Sequence, residues 1–504
     1  MTVSAPKVFY IGLDALSRKL LLQWSSEGSL PHLKKLMDSA AWGMTRNDPG
    51  IYTGSVWPTL WSGAAPGNHG CYYNEQIVPG TYETEDFLGA EVKREPFWNE
   101  LSRQGLRIGV FDVPKTPLSK GLNGFHIVDW GTHDAEIPAC SWPAGLLAEL
   151  EQAHGSSGFR RCVWIMDGAE PEATLQQRLL ERIETRVAMS EDLLRREAVD
   201  LFMLGFGESH CVGHQCWHVH DQKHPWHDAQ CRQDIGDPMK KIYSAIDQAV
   251  GRLWKLADEQ TLFIVHCSHG MAAHYDASYL LDEALRRLEG QAPPRSRVLL
   301  DRVRKMWKKL PVGFTERFGS MARAVNRLPD AGDRAARPCF VVPSNANCPG
   351  IRLNLVGREP NGVLHPGAEA DAFVDRLEAD LMEFREAADG RQLVKEIIRR
   401  RDAFPGDHAE LLPDLFVRWN RNEPITGMRS PRIGAIVRED DSTRRSGDHR
   451  PGGLLIACGP GVPVGERLPV MRDADLAPSL AAYLGVELAN MDGEVLSTLV
   501  ARPG

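Results

Sequence analysis

The chain has 504 residues, of which 42% are hydrophobic and 25% are charged, close to the average of soluble globular proteins. This composition excludes collagen-like, disordered and multi-span membrane proteins, and a chain of this length can bury a large core. Its 59 basic and 67 acidic residues give a net charge of −8, which argues against a protein that binds nucleic-acid polymers, because such proteins carry a basic excess.

Short apolar runs along the chain predict buried strands, and most of them are followed by Gly, Asp, Ser or His and then by a helical pattern. Strands that alternate with helices predict an α/β fold with a mostly parallel sheet flanked by helices. In such sheets the carboxyl ends of the strands carry the ligand-binding residues. The predicted strands are Val8–Leu13, Arg107–Phe111, Asp200–Phe206, Leu262–His266, Leu415–Trp419 and Leu454–Ala457.

Apolar residues that recur with a helical period predict helices between these strands. Residues 285–345 differ, since they are basic and contain no strand-like run. They predict a helical insertion or cap, which is either a solvated helix face or a lid over an anionic substrate. This insertion would divide an α/β core into a first part, residues 1–284, and a C-terminal part, residues 346–504. The predicted helices are Leu30–Ser39, Thr174–Glu197, Pro238–Asp258, Val374–Glu386 and Asp475–Leu484.

The ten cysteines are irregularly spaced and too few for a disulfide scaffold, which favours reduced thiols in a reducing compartment. The apolar run near the N-terminus, Val8–Leu13, is too short for the hydrophobic region of a signal peptide. No apolar run approaches the ~20 residues of a membrane span. We therefore expect a cytoplasmic enzyme that contacts no membrane.

A histidine-rich stretch, residues 205–227, is the strongest local signal of chemistry. His210 and His214 are four residues apart, so a helix would place both on one face, where they can bind a single metal ion. Their position directly after a predicted strand supports this interpretation. The later histidines of the stretch are expected to be solvated or structural: His218, His220, His224 and His227.

Further candidates lie beside other predicted strands. Asp14 comes directly after the first strand, where a carboxylate can bind a metal ion. His269 follows a predicted strand closely, and His449 lies in a Gly/Pro-rich loop before another. Thr53 and Ser55 lie in a Gly-containing turn before a short helical segment. Either hydroxyl is a candidate nucleophile for activation by a metal ion, or a helix cap.

The order of these elements resembles the alkaline phosphatase superfamily and, within it, the type I phosphodiesterase/nucleotide pyrophosphatase family, over nearly the whole chain. Residues 62–70, S-G-A-A-P-G-N-H-G, are similar to that family's T-G-x-x-P-x-x-H-G element. Residues 413–419, P-D-L-F-V-R-W, and residues 473–486 resemble its late core strand and its C-terminal helix. The resemblance implies an alkaline-phosphatase-like α/β fold.

The resemblance also implies a mechanism. In this family two divalent ions, usually zinc, bridge the phosphate, and a metal-activated Thr or Ser attacks phosphorus to give a covalent phospho-enzyme that water hydrolyses. Counted back from the Ser62-Gly63 pair, the nucleophile position falls on Thr53, with Ser55 as the alternative. The positions that match the family's metal ligands are Asp14, His214, His269 and His449.

Two ligand positions depart from the family's pattern. His210 stands where the family's D-x-x-x-H pair has Asp, and Ser268 stands where its D-H-G has Asp. Histidine can bind zinc, so His210, His214 and His449 would form a three-histidine site. Serine is a poor zinc ligand, so a second ion would be one carboxylate short. Glu208 is a candidate to compensate.

We therefore expect a metal-dependent hydrolase of phosphodiester or phosphoanhydride bonds in nucleotide-like or other small anionic substrates, with Thr53 as the nucleophile. The expected cofactor is one or two divalent ions, zinc first, with manganese or iron as alternatives. Two other functions stay open on the same fold. One is a specialised non-hydrolytic reaction, such as that of a transferase or lyase, and the other is non-catalytic binding. The oligomeric state also stays open, a homo-oligomer included.

Overall fold

The computed structural model describes residues 4–133, 137–159, 162, 170–291, 331–345, 347–437 and 445–500. The strands in these ranges are β1 (Val8–Leu13), β2 (Ala41–Arg46), β3 (Glu75–Ile77), β4 (Thr84–Asp86), β5 (Ile108–Phe111), β6 (Gly124–Val128), β7 (Cys140–Trp142), β8 (Leu201–Phe206), β9 (Leu262–Cys267), β10 (Gly270–Ala273), β11 (Cys339–Val342), β12 (Gly350–Leu353), β13 (Arg385–Glu386), β14 (Val394–Arg399), β15 (Leu415–Trp419), β16 (Gly427–Ser430), β17 (Gly434–Val437), β18 (Gly447–Arg450), β19 (Leu454–Cys458) and β20 (Met471–Arg472). The helices are α1 (Arg18–Ser26), α2 (Pro31–Ser39), α3 (Tyr52–Ser62), α4 (Pro66–His69), α5 (Trp98–Arg103), α6 (Leu146–His154), α7 (Pro171–Arg196), α8 (Glu208–His220), α9 (Ala229–Ile235), α10 (Pro238–Trp254), α11 (Ser278–Leu288), α12 (Ala331–Ala335), α13 (Ala368–Met382), α14 (Arg400–Ala403), α15 (Leu476–Tyr483) and α16 (Ser497–Val500), with short 3-10 turns at Gly89–Glu91, Ala409–Leu411 and Asp473–Asp475.

A nine-stranded sheet in the order β20-β2-β19-β9-β1-β8-β5-β6-β7 is the centre of the fold. β1 runs parallel to β8 and β9, and β5 runs parallel to β8 and β6. β19 is antiparallel to β2 and β9, and β7 is antiparallel to β6. The expected mostly parallel sheet is therefore confirmed, with the antiparallel pairs away from its middle.

Helices cover both faces of this sheet, which explains why its strands are continuous apolar runs. Along β1, Phe9, Ile11 and Leu13 share one buried cluster with residues of α1, α2, α7, α8 and α10. Val8 and Tyr10 share a second cluster with residues of α3, α5 and α15. Because side chains alternate along a strand, this one strand contributes to the cores on both sides.

A second, antiparallel sheet has the order β11-β12-β15-β14 and packs with α11 and α13 around a separate core. The run Leu415–Trp419, expected in the parallel sheet, is β15 of this second sheet. An apolar run indicates that a strand is buried, but it does not identify the neighbouring strands.

The predicted helices of the first core match α2, α7 and α10 within a few residues, and the last predicted helix matches α15. The prediction of a helix over Val374–Glu386 was wrong at both ends, because α13 begins earlier and β13 occupies Arg385–Glu386. The carboxylate of Glu386 accepts hydrogen bonds from the backbone N–H groups of Ala388, Asp389 and Thr426. These bonds hold a turn where the helix was expected to continue.

The predicted helical cap, residues 285–345, falls mainly outside the described residues, which omit 292–330. Within its described part, α11 enters the segment and α12 leaves it. Cys339–Val342 is strand β11, so the expectation that the segment lacks strands was wrong. The division at residues 284 and 346 stays a prediction.

No helix in the described ranges is both long and apolar enough to cross a membrane. The ten cysteines all lie in these ranges, and none of them forms a disulfide bond there.

Candidate active site

The site residues predicted from the sequence converge at one edge of the central sheet. Asp14 directly follows β1, the helix that carries His210 follows β8, and His269 follows β9. These three strands are parallel neighbours, so their carboxyl ends meet at the same edge. β18, which carries His449, pairs with β10 directly after His269.

Three imidazoles lie together at this edge. The Nε2 atoms of His210 and His214 are 2.8 Å apart, because the two residues are one helical turn apart on α8. The Nε2 atom of His449 lies 2.7 Å from that of His210 and 3.1 Å from that of His214. Nitrogen ligands around a tetrahedral zinc ion lie roughly 3.3 Å apart, so this triangle has nearly the size of a zinc site.

The hydrogen bonds at the opposite ring nitrogens indicate how two of these imidazoles are protonated. Nδ1 of His210 lies 2.7 Å from a carboxylate oxygen of Asp14, and Nδ1 of His214 lies 2.7 Å from the carbonyl oxygen of Gly447. Both oxygens accept hydrogen bonds, so each Nδ1 carries the proton and each neutral Nε2 presents a lone pair. The two lone pairs face each other across 2.8 Å, and a cation shared between them would stabilise this arrangement. The Nε2 atoms therefore fit as ligands of a divalent metal ion.

Burial lowers the pKa of all three imidazoles, because desolvation disfavours their charged form. For His449 the neighbouring imidazoles of His214 and His210 lower the pKa further. Neutral imidazole is the form that binds metal. The three side chains are therefore ready to act as ligands at neutral pH.

Asp14 is held by several donors. Besides its contact with His210, its Oδ1 atom accepts a hydrogen bond from Nε1 of Trp57 at 2.9 Å and one from the hydroxyl of Ser268 at 3.3 Å. Burial alone would raise the pKa of Asp14, but the interactions with His210, His269 and Trp57 outweigh it and hold the pKa below its usual range. The carboxylate is thus ionised and oriented toward His210.

His269 lies against this carboxylate without bonding to it. Its Nδ1 atom is 3.0 Å from the hydroxyl of Ser268 and 3.9 Å from Asp14. Its Nε2 atom is buried and has no hydrogen-bond partner in the part of the chain that the structure describes. Ser268, which stands where the family has Asp, therefore links His269 to Asp14 through its hydroxyl and supplies no negative charge.

The two candidate nucleophiles have different environments, although both lie in the first turn of α3. Ser55 is fully buried, and its hydroxyl donates to the carbonyl of Ile51 at 3.0 Å. Thr53 is partly exposed, and its Oγ1 atom lies 3.4 Å from the side-chain amide of Asn347. The adjacent Tyr52 donates to the carbonyl of His449 at 3.3 Å. This contact brings the first turn of α3, and Thr53 with it, beside the histidines.

Glu208 does not join the imidazoles. Its Oε1 atom lies 2.8 Å from Nε of Arg182 and 3.1 Å from Nη2 of Arg186, and all three side chains are fully buried. Arg186 also pairs with Asp112 at 2.7 Å. The expectation that Glu208 compensates for the missing carboxylate was therefore wrong, because the buried carboxylate of Glu208 balances the charge of buried guanidinium groups.

The later histidines of the rich stretch have contacts of their own outside the three imidazoles. His220 lies 2.8 Å from Asp237, and Nδ1 of His227 lies 2.8 Å from the carbonyl of His218. His224 stacks on Tyr275. These contacts lie outside the three imidazoles, and a structural role for these four histidines stays a prediction.

Sequence reasoning missed a cluster that lies beside the imidazoles. The ring of His133 lies against that of His210, with centroids 4.0 Å apart and the ring planes tilted by 31°. Its Nδ1 atom lies 3.2 Å from the sulfur of Cys211 and 3.3 Å from that of Cys162. His133 comes shortly after β6 in the chain, so a search of the residues that follow each strand could have identified it. No sequence pattern indicates that Cys162 lies near the site.

Comparisons with known proteins identify the family and the fold. The model of the type I phosphodiesterase / nucleotide pyrophosphatase family matches residues 8–450. Murine ectonucleotide pyrophosphatase/phosphodiesterase 5, solved as an inactive threonine-to-alanine variant in complex with AMP, is similar in structure, with a TM-score of 0.53, 12% identity and 97% of each chain covered. A second structure of the same murine protein has a TM-score of 0.50 with the same identity and coverage. At this identity the likeness shows the fold, and no curated protein matches the sequence.

Proposed function

Because the chain belongs to the type I phosphodiesterase/nucleotide pyrophosphatase family, we propose that it hydrolyses phosphodiester or phosphoanhydride bonds in small anionic substrates, with a divalent metal ion and Thr53 as the nucleophile. The observation that carries this proposal is the triangle of Nε2 atoms from His210, His214 and His449. Neutral nitrogen atoms whose lone pairs lie this close together repel one another, and a bound cation would stabilise them.

The three histidines are the ligands that we assign to the ion, and zinc is the ion that such a donor set favours. When bound, the ion supplies a Lewis acid that stabilises charge on a phosphoryl oxygen or on the nucleophile. The carboxylate of Asp14 orients His210 and strengthens it as a ligand, in the manner of carboxylate–histidine pairs at metal sites. Since Asp14 is already occupied in this way, we assign one ion to the site.

Thr53 is the assigned nucleophile because this residue is partly exposed, whereas Ser55 is buried and its hydroxyl is bonded inside the helix. Attack forms a bond from Oγ1 to phosphorus, the leaving oxygen departs with its electron pair, and that oxygen takes up the proton lost by Thr53. Water then cleaves the phospho-threonine and restores the hydroxyl. The backbone N–H groups of Gly54 and Ser55 bond to the carbonyl of Ile51. Those of Tyr52 and Thr53 precede these first helical hydrogen bonds, which favours an anion at this end of α3.

The similar murine structure supports these assignments. That protein is inactive as a threonine-to-alanine variant, and its structure contains AMP. For the present chain we infer a hydroxyl nucleophile of the same type and a substrate of the same charge. The cytoplasmic location expected from the cysteines, and the open oligomeric state, stay predictions.

Hydrolysis of bis(p-nitrophenyl) phosphate by protein supplied with zinc, manganese or iron tests the proposal. We expect turnover by the wild type and a loss of at least about 1000-fold in Thr53→Ala. Ser55→Ala is the matched control, and it should retain activity within about tenfold, because it loses one hydrogen bond worth about 1 kcal/mol.

Equal activity of wild type and Thr53→Ala would reject Thr53 as the nucleophile. Absence of turnover with a broader panel of phosphodiesters and pyrophosphates, in protein shown to contain metal, would reject hydrolysis. It would favour instead a non-hydrolytic reaction at the same site.

A further inference from the structure

Asn347 brings the second sheet into the candidate active site. It lies in the turn between β11 and β12, and its side chain is 2% exposed. Its backbone N–H donates to Oδ1 of Asn345 at 2.8 Å, which holds the turn. Its side-chain Nδ2 atom lies 3.4 Å from Oγ1 of Thr53 and 3.4 Å from Oδ1 of Asp448, the neighbour of His449.

The neighbours of this amide determine which way it faces. Asp448 is buried, its Oδ2 atom lies 2.8 Å from Nη1 of Arg421, and its Oδ1 atom accepts a hydrogen bond from the backbone N–H of His449 at 2.8 Å. Its carboxylate therefore accepts hydrogen bonds only, and the NH₂ group of Asn347 is the end that faces it. The carbonyl oxygen, Oδ1, must then face away from Asp448.

This Oδ1 atom is buried and has no donor within the described ranges of the chain. A buried acceptor without a partner destabilises the folded protein, and native proteins satisfy nearly all such groups. The described residues offer this amide oxygen no donor, and its side chain lies against the assigned nucleophile through Nδ2, so a bound molecule can supply the missing donor. A bound water is the simplest candidate, and a group on the substrate is the candidate with a functional consequence.

We propose that Oδ1 of Asn347 accepts a hydrogen bond from a hydroxyl or amine group that the substrate carries close to its scissile phosphate. The substrate class would then be phosphoesters of polyols, sugars or amino alcohols. This assignment rests on the proposed function and adds to it a preference for substrates that carry such a hydroxyl or amine group. A site with a buried acceptor discriminates against an analogue that lacks the donor, because the acceptor then stays unpaired.

Two esters that differ in one hydroxyl group test this assignment: 3-hydroxypropyl p-nitrophenyl phosphate and propyl p-nitrophenyl phosphate. For the metal-loaded wild type we expect kcat/KM to favour the hydroxylated ester about tenfold or more, the factor that corresponds to one hydrogen bond of roughly 1.4 kcal/mol. Asn347→Leu should bring this ratio close to one. Asn347→Asp keeps the acceptor, so it should lower turnover of both esters while a preference remains.

Asn123→Leu is the matched control. Asn123 donates to the backbone carbonyls of Gly105 and Leu106 at the opposite edge of the central sheet, so this variant should keep the wild-type ratio. Circular dichroism and thermal unfolding establish that each variant is folded. A ratio of one in the wild type, or an unchanged ratio in Asn347→Leu, would overturn the assignment of Asn347.

Calorimetric binding of 3-hydroxypropyl phosphate and propyl phosphate gives a readout that does not need turnover. If the wild type hydrolyses neither ester, the proposed hydrolysis is wrong, and the binding preference alone decides the role of Asn347. Tighter binding of the hydroxylated phosphate that disappears in Asn347→Leu supports the assignment. Equal binding of the two phosphates, as expected if only water occupies Oδ1, overturns it.

Discussion

Nδ1 of His210 lies 2.7 Å from Oδ2 of Asp14. Through this contact, the carboxylate at the end of the first strand faces a histidine that stands where the family has an aspartate. The resemblance to the family implies that both positions hold metal ligands, whereas in the structure the carboxylate of Asp14 lies against the imidazole of His210. The proposed role of Asp14 as a support for His210 therefore depends on the presence of His, in place of Asp, at position 210.

We expect Asp14→Asn to weaken zinc binding about 10- to 100-fold without changing the stoichiometry, which is the usual effect of losing a carboxylate behind a ligating histidine. Elemental analysis and competition with a chromogenic chelator measure the stoichiometry and the affinity. Trp57→Phe removes a donor to the other oxygen of Asp14 and leaves His210 in place, so it should have a smaller effect. Two ions in the wild type and one in Asp14→Asn would show instead that Asp14 is a direct ligand.

Removal of the ion should destabilise the fold, because a ligand that binds only the folded state stabilises it by about 2.7 kcal/mol at 100 times its Kd. We expect chelation to lower the free energy of unfolding in urea by about that amount, and zinc to restore it. His214→Ala should be insensitive to the chelator. His220→Gln changes a histidine of the same helix that pairs with Asp237, so its stability should respond to the chelator as that of the wild type does. If the stability of His214→Ala still falls on chelation, the ion is bound elsewhere.

The fold was predictable where burial alone determines the structure. β1 was predicted to the residue, because a strand covered on both faces is a continuous apolar run with polar residues after it. The helix Val374–Glu386 was misplaced, because contacts of Glu386 with Thr426 and the following turn end it, and these depend on a distant strand. The pairing of β15 with the second sheet was likewise not encoded in its own residues.

The site was predictable to the extent that it follows strand ends. Asp14, His210 and His269 were found in this way, and the i, i+4 spacing placed His214 beside His210. The contact of Asn347 with Thr53 joins residues 294 apart in the chain through a turn of the other sheet. No local pattern predicts such a contact, since it depends on how two sheets pack.

Loss of Arg186 should destabilise the protein strongly, because it would leave two buried carboxylates, Asp112 and Glu208, without that partner. Removing one member of a buried ion pair costs about 3–5 kcal/mol, so we expect a loss of this size in Arg186→Met by urea unfolding. Arg103→Met removes an exposed arginine that pairs with Glu95 and Glu100, and it should cost less than about 1 kcal/mol. Similar costs for the two variants would contradict the structural role of Glu208.

Stability should fall at alkaline pH through His274. Burial lowers the pKa of this histidine, but Asp276, 2.7 Å from Nε2, and Asp448, 3.3 Å from Nδ1, outweigh burial and raise the pKa to about 9. Arg421, bonded to Asp448, is the cation that opposes this effect. A pKa raised above the unfolded value of about 6.5 contributes stability that is complete below pH 6.5 and is lost as the pH rises through about 9.

The difference in unfolding free energy between wild type and His274→Gln isolates this effect from other groups that titrate in the same range. At about 1.4 kcal/mol for each pKa unit, it should be no more than about 3 kcal/mol at pH 6 and should shrink between pH 8 and pH 10. Urea unfolding at several pH values measures it. Curves for the two proteins that stay parallel up to pH 10 would mean that His274 is not charged in the folded protein, which would leave Arg421 as the cation paired with Asp448.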